Sequence, residues 1–544
     1  MPATTIPTLH VSGLDVVFGT RRVLHDIDLT AQPGRRIGLV GENGSGKSTL
    51  LRAVAGSLPG RALVTGTIDG PADLAMLGQE PAFGHHQTIG EVLAGALSPL
   101  RRLVADVERL SLELSDESDE PAQTAYAVAL DRAVAHDAWD ADRRAAQAAE
   151  RLGLGVLESS RRIGTLSGGQ RTRLALATLM TTRPDCLLLD EPTNHLDDDA
   201  IDLLAAFLRD LPGVVLLASH DRVLLDDVCT DLFDLDPSEV GTDGQGGRRF
   251  GGGWTAYEEH RAAARRRWEE TYAAQQEELA RLREGTKIDS SAIAHNRPPR
   301  DNDKFIYGFK GANVQRTLAR RKRDAHRRLD EAEREQVRKP RPPLRLRADL
   351  TGGGAAGRVV QVRDLVVAER LALERLDVTV GEHLLVSGAN GSGKSTLLGV
   401  LSGRLEPTSG SVLVTAHRVA ELVQDVRFAE PGRSAVATYD ALVGDERAAR
   451  TPLRDLGLVP PDRLVTPVAL LSVGQRRRLG LAVAIAAAPD LLLLDEPTNH
   501  LSLALAGEIE EALQTTAGTV VVASHDRWLR RRWAGAELRL NAPE

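Results

Sequence analysis

The fold of this chain is decided by the stretch GENGSGKST at Gly41–Thr49, which recurs as GANGSGKST at Gly388–Thr396. Each copy follows an apolar run that is typical of a buried strand, RRIGLV before the first and EHLLVS before the second. Glycines let the backbone N–H groups of such a loop approach a phosphate, and the following helix adds the positive end of its dipole. The two matches therefore predict two phosphate-binding loops.

Two further stretches repeat in the same order in both halves of the chain. The stretch LLLDEPTNHL occurs at Leu187–Leu196 and Leu492–Leu501, and ASHDR occurs at Ala218–Arg222 and Ala523–Arg527. The strand–loop–helix order is typical of an α/β domain with a largely parallel sheet. The chain is therefore a duplication at the scale of whole domains, and each copy is predicted to be a P-loop NTPase domain of the α/β class.

The domain boundaries follow from this duplication. We expect a first α/β domain at residues 1–240, a charged helical linker at 241–345 and a second α/β domain at 346–544. Within the linker, Thr255–Glu284 contains no Gly or Pro, and Val314–Arg338 carries apolar residues at helical spacing until KPRPP ends it. Two charged helices with one apolar seam each predict a long antiparallel helical hairpin. Its first helix alone would extend ~45 Å at 1.5 Å per residue.

The first half is also longer inside than the second. About 87 residues separate Gln79 from Leu166, against roughly 47 between Gln424 and Leu471. The additional residues have a helical pattern. They are interpreted either as an enlarged helical subdomain or as a surface insertion without a role.

Composition narrows the class of protein. The chain has 544 residues, 42% of them apolar, and only two cysteines, Cys186 and Cys229. So few cysteines argue against a Cys-ligated iron–sulfur cluster, a structural zinc site and a disulfide framework. No stretch reaches the ~18–20 apolar residues that a membrane helix needs, and the N-terminus has no signal-peptide pattern. We therefore expect a cytoplasmic protein with no membrane segment of its own.

Charge is unevenly distributed along the chain. The net charge is −8, yet Thr255–Lys339 holds 21 Lys and Arg residues against 15 Asp and Glu residues. A basic middle between acidic domains points to a polyanionic partner, and Arg265–Arg267 and Arg320–Arg323 are candidates for contacting RNA phosphates. The aromatic residues within Phe305–Phe309 would lie near the tip and could stack on bases. The alternative is a solvated hairpin whose charges only keep it in solution.

The repeated stretches supply the groups that phosphoryl-transfer chemistry requires. Lys47 and Lys394 are predicted to contact the β- and γ-phosphates of ATP. The predicted Mg²⁺ ligands are Ser48, Gln79 and Asp190 in the first domain and Ser395, Gln424 and Asp495 in the second. The other predicted nucleotide-binding residues of the loops are Gly41, Asn43, Gly44, Gly46 and Thr49, with the counterparts Gly388, Asn390, Gly391, Gly393 and Thr396.

Candidate catalytic residues come directly after the buried strands. Glu191 and Glu496 follow the metal-binding aspartates and are the candidates for polarising the attacking water, an effect worth ~10²–10⁴-fold in rate. His220 and His525 each follow an apolar run. A single His after a strand is more often structural. Its recurrence in register with the rest of the set favours contact with the γ-phosphate.

A fourth repeated motif is predicted to start a helix in each half. It reads LSGGQ at Leu166–Gln170 and LSVGQ at Leu471–Gln475. The predicted binding residues in these motifs are Ser167, Gly169, Gln170, Ser472, Gly474 and Gln475. A Ser and glycine amides at a helix N-terminus make a second anion site, which is useful only if it closes on the γ-phosphate held by the other domain. Two composite ATP sites result, and Gln79 and Gln424 would couple them to the helical subdomains.

Together these motifs resemble the ATP-binding cassette superfamily, and twin cassettes joined by a long charged linker resemble its F subfamily. The resemblance implies ATP binding that closes the two cassettes, within one monomer, and binding to the ribosome at the tRNA exit region. It also implies a linker that reaches toward the peptidyl-transferase centre. Some members are general translation factors, and others protect ribosomes from large-subunit antibiotics. The linker run RDNDKFIYGFKGANVQ at Arg300–Gln315 looks most like actinobacterial resistance proteins of the macrolide/lincosamide type.

The chain departs from the family pattern in ways that distinguish its two ATP sites. Phe18 stands where the family places an adenine-stacking aromatic, but no aromatic occurs near Val366–Leu371. Val473 replaces a signature glycine and would restrict approach to the phosphate held by Lys47. The first cassette continues NHL with Asp197, which we expect to be a cross-interface carboxylate, whereas the second has a serine there. These differences predict unequal hydrolysis at the two sites.

Three alternative functions are compatible with twin cassettes. A housekeeping translation factor of the same subfamily would share every motif. The ATPase subunit of a membrane transporter would not need a basic helical hairpin of this size. A zinc-bearing DNA-repair protein with twin cassettes is excluded because the chain has too few cysteines.

Overall fold

The chain folds into two compact units in a computed structural model. The structure describes residues 6–41, 44–78, 81, 83–114, 120–194, 196–235, 247–286, 320, 323–340, 357–389, 391–498, 501, 503–516 and 518–541. The first unit comprises Met1–Asp236, Gln245–Ala256 and Pro343–Glu544, and the second comprises Pro237–Gly244 and Tyr257–Pro342. Both repeats of the duplication therefore lie in the first unit.

The first repeat combines a three-stranded antiparallel sheet with a six-stranded, mainly parallel one. Its strands are β1 (Leu9–Phe18), β2 (Arg21–Ala31), β3 (Arg36–Val40), β4 (Ala62–Asp69), β5 (Leu74–Leu77), β6 (Cys186–Asp190), β7 (Val214–Ala218), β8 (Asp231–Asp234) and β9 (Arg248–Gly251). The antiparallel sheet has the order β2-β1-β4, and the larger sheet has the order β5-β6-β7-β3-β8-β9. Only β9 runs antiparallel to its neighbour in the larger sheet.

Among the described residues of the first repeat, seven α-helices accompany the strands. They are α1 (Lys47–Val54), α2 (Ile89–Glu113), α3 (Glu120–Ala135), α4 (Ala141–Arg151), α5 (Gly168–Thr182), α6 (Asp198–Asp210) and α7 (Arg222–Val228). Strands β6 and β7 are buried at every position, as expected for apolar runs in the middle of a parallel sheet covered on both faces. The predicted α/β class and parallel sheet are confirmed.

The additional residues of the first repeat form a helical subdomain. Helices α2, α3 and α4 pack around their own apolar core, which includes Leu97, Leu100, Val107 and Ala133. Thr88 begins α2 with a capping box, because its hydroxyl accepts from the Glu91 N–H while the Glu91 carboxylate accepts from the Thr88 N–H. The insertion is thus a folded subdomain with a core, which favours the first of the two interpretations.

The second repeat has the same plan with fewer elements. Its strands are β10 (Arg358–Val367), β11 (Leu371–Thr379), β12 (His383–Gly388), β13 (Ser409–Val414), β14 (Val419–Leu422), β15 (Leu491–Asp495), β16 (Thr519–Ala523) and β17 (Ala536–Leu540). Their orders are β11-β10-β13 and β14-β15-β16-β12-β17, and the second of these sheets is parallel throughout.

The helices of the second repeat are shorter where the first has its subdomain. They are α10 (Lys394–Leu401), α11 (Ala435–Val443), α12 (Asp445–Arg450), α13 (Leu453–Leu456), α14 (Val473–Ala486), α15 (Leu503–Thr515) and α16 (Arg527–Arg532). One apolar cluster joins α11 and α14 to the sheet through Tyr439, Leu479 and Leu494. In both repeats the central parallel strands deliver their carboxyl ends to one edge, where ligand sites of open α/β sheets lie.

The linker residues that the structure describes form two helices. Helix α8 (Trp254–Thr286) agrees with the predicted first helix, and residues 323–334 form α9, part of the predicted second one. The Trp268 indole N–H donates to the Arg338 carbonyl at 2.8 Å, and the Val337 N–H donates to the Gln275 side chain at 2.8 Å. Positions that ascend along α8 meet positions that descend along the second segment, so the antiparallel hairpin is confirmed. The predicted tip lies outside the described residues.

Candidate active site

The first phosphate loop connects β3 to α1. Gly41, Gly44 and Gly46 lie in this loop, and Gly46 has a left-handed backbone with φ of 103°. A Cβ atom on Gly46 would lie 2.5 Å from the Leu24 side chain, so only glycine fits. Lys47 begins α1, and its ammonium donates to the Gly41 carbonyl at 2.8 Å. The Lys47 side chain therefore spans the loop from its last residues to its first. The predicted Asn43 lies outside the described residues.

The second phosphate loop reproduces this arrangement between β12 and α10. Gly393 has φ of 91°, and a Cβ atom there would lie 2.5 Å from the Arg370 carbonyl oxygen. The Lys394 ammonium donates to the Gly388 and Ala389 carbonyls at 2.9 and 3.1 Å. Burial lowers the pKa of Lys394 from its ordinary value, although Glu496 and Asp495 oppose this. Gly391 lies in the same loop, and Asn390 lies outside the described residues.

The first turn of each loop helix provides a hydroxyl beside a buried carboxylate. The Ser48 hydroxyl donates to Asp190 Oδ1 at 2.9 Å, and Ser395 occupies the same position of α10 beside Asp495. Asp190 is 1% exposed and Asp495 is 3% exposed. Within the part of the chain that the structure describes, Asp190 Oδ2 and Asp495 Oδ1 are buried without a hydrogen-bond partner. Hydroxyl and carboxylate oxygens are the ligands that Mg²⁺ prefers, so both sites fit this ion.

Two threonines and two glutamines complete the set of predicted nucleotide-binding residues near the loops. Thr49 and Thr396 lie in the first turn of α1 and of α10. Gln424 is exposed two residues beyond β14, and Gln79 lies outside the described residues. The contribution of the two glutamines to a metal site therefore remains a prediction.

The glutamates that follow the buried aspartates share an uncommon backbone conformation. Glu191 and Glu496 have φ of 53° and 51°, in the left-handed region that side chains other than glycine rarely adopt. Each is held there because its N–H donates to the last residue of the neighbouring strand, Ala218 or Ala523, at 2.8 Å. Strained residues of this kind cluster at functional sites. In this conformation each carboxylate accepts a hydrogen bond from the N–H of the histidine in its own repeat.

Each glutamate contacts the histidine of its own repeat, but in different ways. In the first repeat the His220 N–H donates to Glu191 Oε2 at 3.1 Å, and His220 Nε2 lies 3.4 Å from Glu191 Oε1. In the second repeat His525 Nδ1 lies 2.7 Å from Glu496 Oε1. Burial raises the pKa of Glu191 to about 7. The hydrogen bond to Glu496 raises the pKa of His525 from its ordinary value.

The signature motifs start helices as predicted. Ser167 caps α5 and Ser472 caps α14, and each forms a capping box with the glutamine three residues later, Gln170 or Gln475. In each box the serine hydroxyl accepts from the glutamine N–H at 3.2 Å, so its own hydrogen can point to a ligand. The glycines Gly169 and Gly474 lie in the first turns of these helices. The side chain of Val473, at the start of α14, is 56% exposed.

A buried arginine in the second repeat was missed by sequence reasoning. Arg477 on α14 is 3% exposed, and its guanidinium donates to the Asp495 and Glu496 carbonyls at 2.5 Å and to the Gln424 carbonyl at 3.3 Å. The first repeat has Thr172 at the same place, which bonds only within its own helix in the hydrogen bonds described. The triplet RRR after LSVGQ was the available signal, but such runs normally face solvent.

Two other predicted residues lie in settings that sequence alone did not indicate. Phe18 ends β1 and packs partly buried against the core beneath the antiparallel sheet. Asp197 caps α6 and forms an ion pair with Arg173 of its own repeat at 2.8 Å, and its contact across the interface between repeats stays a prediction. The N-cap position favours this because the orphan N–H groups of the first turn need a local acceptor.

A family model matches the chain twice. The model, described as ABC transporter, covers residues 24–194 and 374–499, which together include both phosphate loops and both DEPTN motifs. The chain therefore belongs to the ATP-binding cassette family, and each repeat is one cassette. Both cassettes bind ATP, and the chain is an ATP hydrolase.

Relatives that match nearly the whole chain place it in the F subfamily, and it resembles the actinobacterial resistance members of that subfamily. The chain is 36% identical over 546 residues to the tylosin resistance ATP-binding protein TlrC of Streptomyces fradiae, covering 98% of this chain and 97% of the relative. It is 31% identical to the energy-dependent translational throttle protein EttA of Haemophilus influenzae, covering 98% and 92%. A solved structure, RNase-L Inhibitor, shares the fold with a TM-score of 0.54 at 17% identity over 95% of this chain and 85% of that one.

No helix among the described residues combines the length and the apolar character that crossing a membrane would require.

Proposed function

We propose that this chain binds the ribosome in an ATP-dependent way, in the cytoplasm, and protects it from antibiotics of the macrolide/lincosamide type that act on the large subunit. The observation that carries the proposal is the 36% identity, over nearly the whole of both chains, to a protein named for tylosin resistance. The basic helical hairpin between the cassettes supports it, because the transporter alternative leaves that element without a use.

The cassettes would use ATP as the ligand that closes them. Lys47 and Lys394 would hold the β- and γ-phosphates of the two nucleotides. Ser167 and Ser472 would each contact the γ-phosphate bound by the opposite cassette, so that closure requires both halves. A ligand that binds across two lobes stabilises the closed state by its additional contacts there. This composite arrangement makes ATP binding, rather than hydrolysis, the step that drives engagement.

Hydrolysis would then release the closed state. Mg²⁺, when bound by Ser48 and Asp190 or by Ser395 and Asp495, supplies neutralisation of the phosphate charge. Glu191 and Glu496 would orient the attacking water and accept its proton, since each lies at the end of the strand that carries the metal-binding aspartate. His220 and His525 would donate to the γ-phosphate and report its loss to the carboxylate they contact.

The hairpin would provide the contact with RNA. Arg266 and Arg267 are exposed on α8, and Arg320 is exposed before α9. Neighbouring acids neutralise part of this charge, since Arg265 lies 3.1 Å from Glu269 and Arg283 lies 2.8 Å from Glu333. The residual positive charge would bind RNA phosphates, and such binding weakens steeply with salt because counterions are released. The target we propose is rRNA and tRNA near the exit site and the peptidyl-transferase region.

Co-sedimentation with 70S ribosomes tests the ribosome part of the proposal. The double variant Glu191→Gln/Glu496→Gln should bind ATP without hydrolysing it and should remain on ribosomes when ATP is present. The same variant with ADP is the matched control and should stay in the supernatant. Absence of the ATP-loaded variant from the ribosome pellet at moderate salt would refute the claim.

Drug susceptibility tests the resistance part. A sensitive host that expresses the wild-type chain should tolerate higher concentrations of tylosin or of a lincosamide, and the double variant should not protect it. Unchanged susceptibility to a panel of large-subunit inhibitors, with ribosome binding intact, would favour the second candidate, a translation factor. That candidate is supported by the 31% identity to a protein named as a translational throttle.

A further inference from the structure

The two cassettes contact each other through the dipeptides that follow their histidines. Asp221 and Arg222 start α7 in the first cassette, and Asp526 and Arg527 start α16 in the second. The aspartates cap their own helices. The arginines instead extend to the opposite cassette. Each histidine turn, His220–Arg222 or His525–Arg527, therefore contributes one guanidinium to the contact between cassettes.

Arg222 is the buried member of this contact. Its guanidinium is 1% exposed and makes a bidentate ion pair with Glu510 of α15, with Nη1 donating to Oε2 at 2.9 Å and Nη2 donating to Oε1. Nη2 also donates to Asp526 Oδ2 at 2.7 Å. The Trp528 ring covers the group, with its centroid 5.7 Å from the guanidinium carbon. A charge in such a place is stable only while its partners hold their geometry.

The reciprocal contact is exposed. Arg527 donates to Asp202 of α6 at 2.5 Å, and Arg530 donates to Asp198 at 2.9 Å. The side chains of Asp202 and Asp198 are 66% and 49% exposed, whereas that of Glu510 is 5% exposed. Water screens the exposed pairs, so they bind weakly and tolerate rearrangement. The two halves of the contact are therefore unequal, because the Arg222–Glu510 pair is buried whereas the carboxylates of the reciprocal pairs are exposed.

A short path leads from Arg222 to the catalytic groups of both cassettes. Arg222 is two residues from His220, whose N–H donates to Glu191. Its partner Asp526 follows His525, which contacts Glu496 at 2.7 Å. Any movement of one histidine turn on nucleotide binding must therefore move the ion pair or carry the opposite turn with it.

We propose that Arg222, through Glu510 and Asp526, couples the two ATP sites, so that occupancy of one site changes the rate of hydrolysis at the other. Arg222 is in this role a positioning residue, since it lies between the two histidine turns. The proposal rests on the proposed function in one respect, namely that both cassettes turn over ATP through Glu191 and Glu496.

The test measures single-turnover ATP hydrolysis at the Glu496 site in a Glu191→Gln parent, with the first site filled or emptied by Lys47→Ala. In the parent protein, emptying the first site should change this rate about fivefold or more, the usual lower range for coupled sites. The coupling ratio is the rate with the first site filled divided by the rate with that site emptied. In the Arg222→Lys and Glu510→Gln variants this coupling ratio should be near one. Asp202→Asn removes the matching carboxylate of the exposed contact and should leave the ratio as in the parent.

Two results would overturn the coupling proposal. One is a ratio near one in the parent, and the other is an undiminished ratio in Arg222→Lys. Because a variant of a buried charge can fail to fold, thermal unfolding of each variant is measured. The double variant Arg222→Met/Glu510→Leu replaces the ion pair with apolar side chains, and its rates with the first site filled and emptied should also be equal. Ribosome co-sedimentation of the ATP-loaded parent is scored separately, so failure of ribosome binding is distinguishable from failure of coupling.

Discussion

His525 Nδ1 lies 2.7 Å from Glu496 Oε1 in the second cassette, and this short contact defines a more tightly organised turn than that in the first. The corresponding side-chain contact in the first cassette, between His220 Nε2 and Glu191 Oε1, is 3.4 Å. Arg477 adds a buried anchor for the Glu496 backbone, where the first cassette has Thr172. The two sites are thus built from the same motifs, but the contacts that hold the glutamate in place differ between them.

The different contacts of Glu191 and Glu496 predict unequal rates of ATP hydrolysis at the two sites. We expect Glu496→Gln to remove the larger share of ATP turnover and Glu191→Gln the smaller, because Val473 is predicted to restrict access to the phosphate that Lys47 would hold. Loss of a positioned general base costs ~10²–10⁴-fold at the site affected. Steady-state and single-turnover rates of the two variants give the comparison. Equal losses would contradict the prediction.

Val473 can be tested by exchange with its counterpart. We expect Val473→Gly to speed hydrolysis at the Glu191 site, because it removes the side chain that is predicted to restrict the nucleotide of the opposite cassette. Gly168→Val is the matched variant and should slow the Glu496 site. A Cβ atom at Gly168 meets no atom within 4 Å, so the variant should fold normally. Single-turnover rates measured in the Glu496→Gln and Glu191→Gln backgrounds would show both effects, and unaltered rates would rule out a role for this position.

The raised pKa of Glu191 predicts a pH dependence for the first site. Burial raises this pKa to about 7, above the ordinary value, and a general base acts only when deprotonated. Hydrolysis by the Glu496→Gln variant should therefore increase with pH between about 6 and 8 and fall roughly tenfold per pH unit well below the pKa. Rates at saturating ATP give the profile. A flat profile over this range would show that deprotonation of Glu191 does not limit the reaction.

Arg477→Thr places the first cassette's residue in the second. The change leaves the carbonyls of Asp495 and Glu496 without a buried donor and should cost about 1–3 kcal/mol of folding free energy. Misplacement of Glu496 should slow hydrolysis at its site by roughly ten- to hundredfold. Thr172→Ala is the control and should leave both rates within about twofold. Denaturant unfolding and single-turnover rates separate the two effects, and an unchanged rate would show that Arg477 serves stability alone.

The two cysteines provide a check on the core. Cys186 is 0% exposed at the start of β6, Cys229 is 8% exposed after α7, and burial raises the pKa of each thiol to about 12. Reaction requires an exposed thiolate, so neither should react with a disulfide reagent in the native protein. Both should react once the chain is unfolded in denaturant. Fast labelling of either residue under native conditions would contradict the packing around β6 and α7.

Local motifs made much of the site predictable. The glycine loops, the buried strands that end in Asp190 and Asp495, and the capped signature helices are each encoded within about ten consecutive residues. Short-range sterics and hydrogen bonds decide them, because a phosphate loop needs glycine where the backbone turns left-handed and a capping box needs Ser and Gln three residues apart. The same holds for α8, whose uninterrupted helical pattern predicted its extent within a few residues.

Contacts between distant segments could not be inferred in this way. The sequence alone determined that this chain carries two phosphate-loop α/β domains with a helical hairpin between them, because periodicity and spacing act along the chain. Only the tertiary structure decided that Asp197 caps its own helix, that Arg477 is buried against the catalytic strand, and that Arg222 forms a buried ion pair with Glu510. The sequence does not distinguish a charged side chain that is solvated from one that forms a buried ion pair. The packing of distant segments in the folded chain decides between the two.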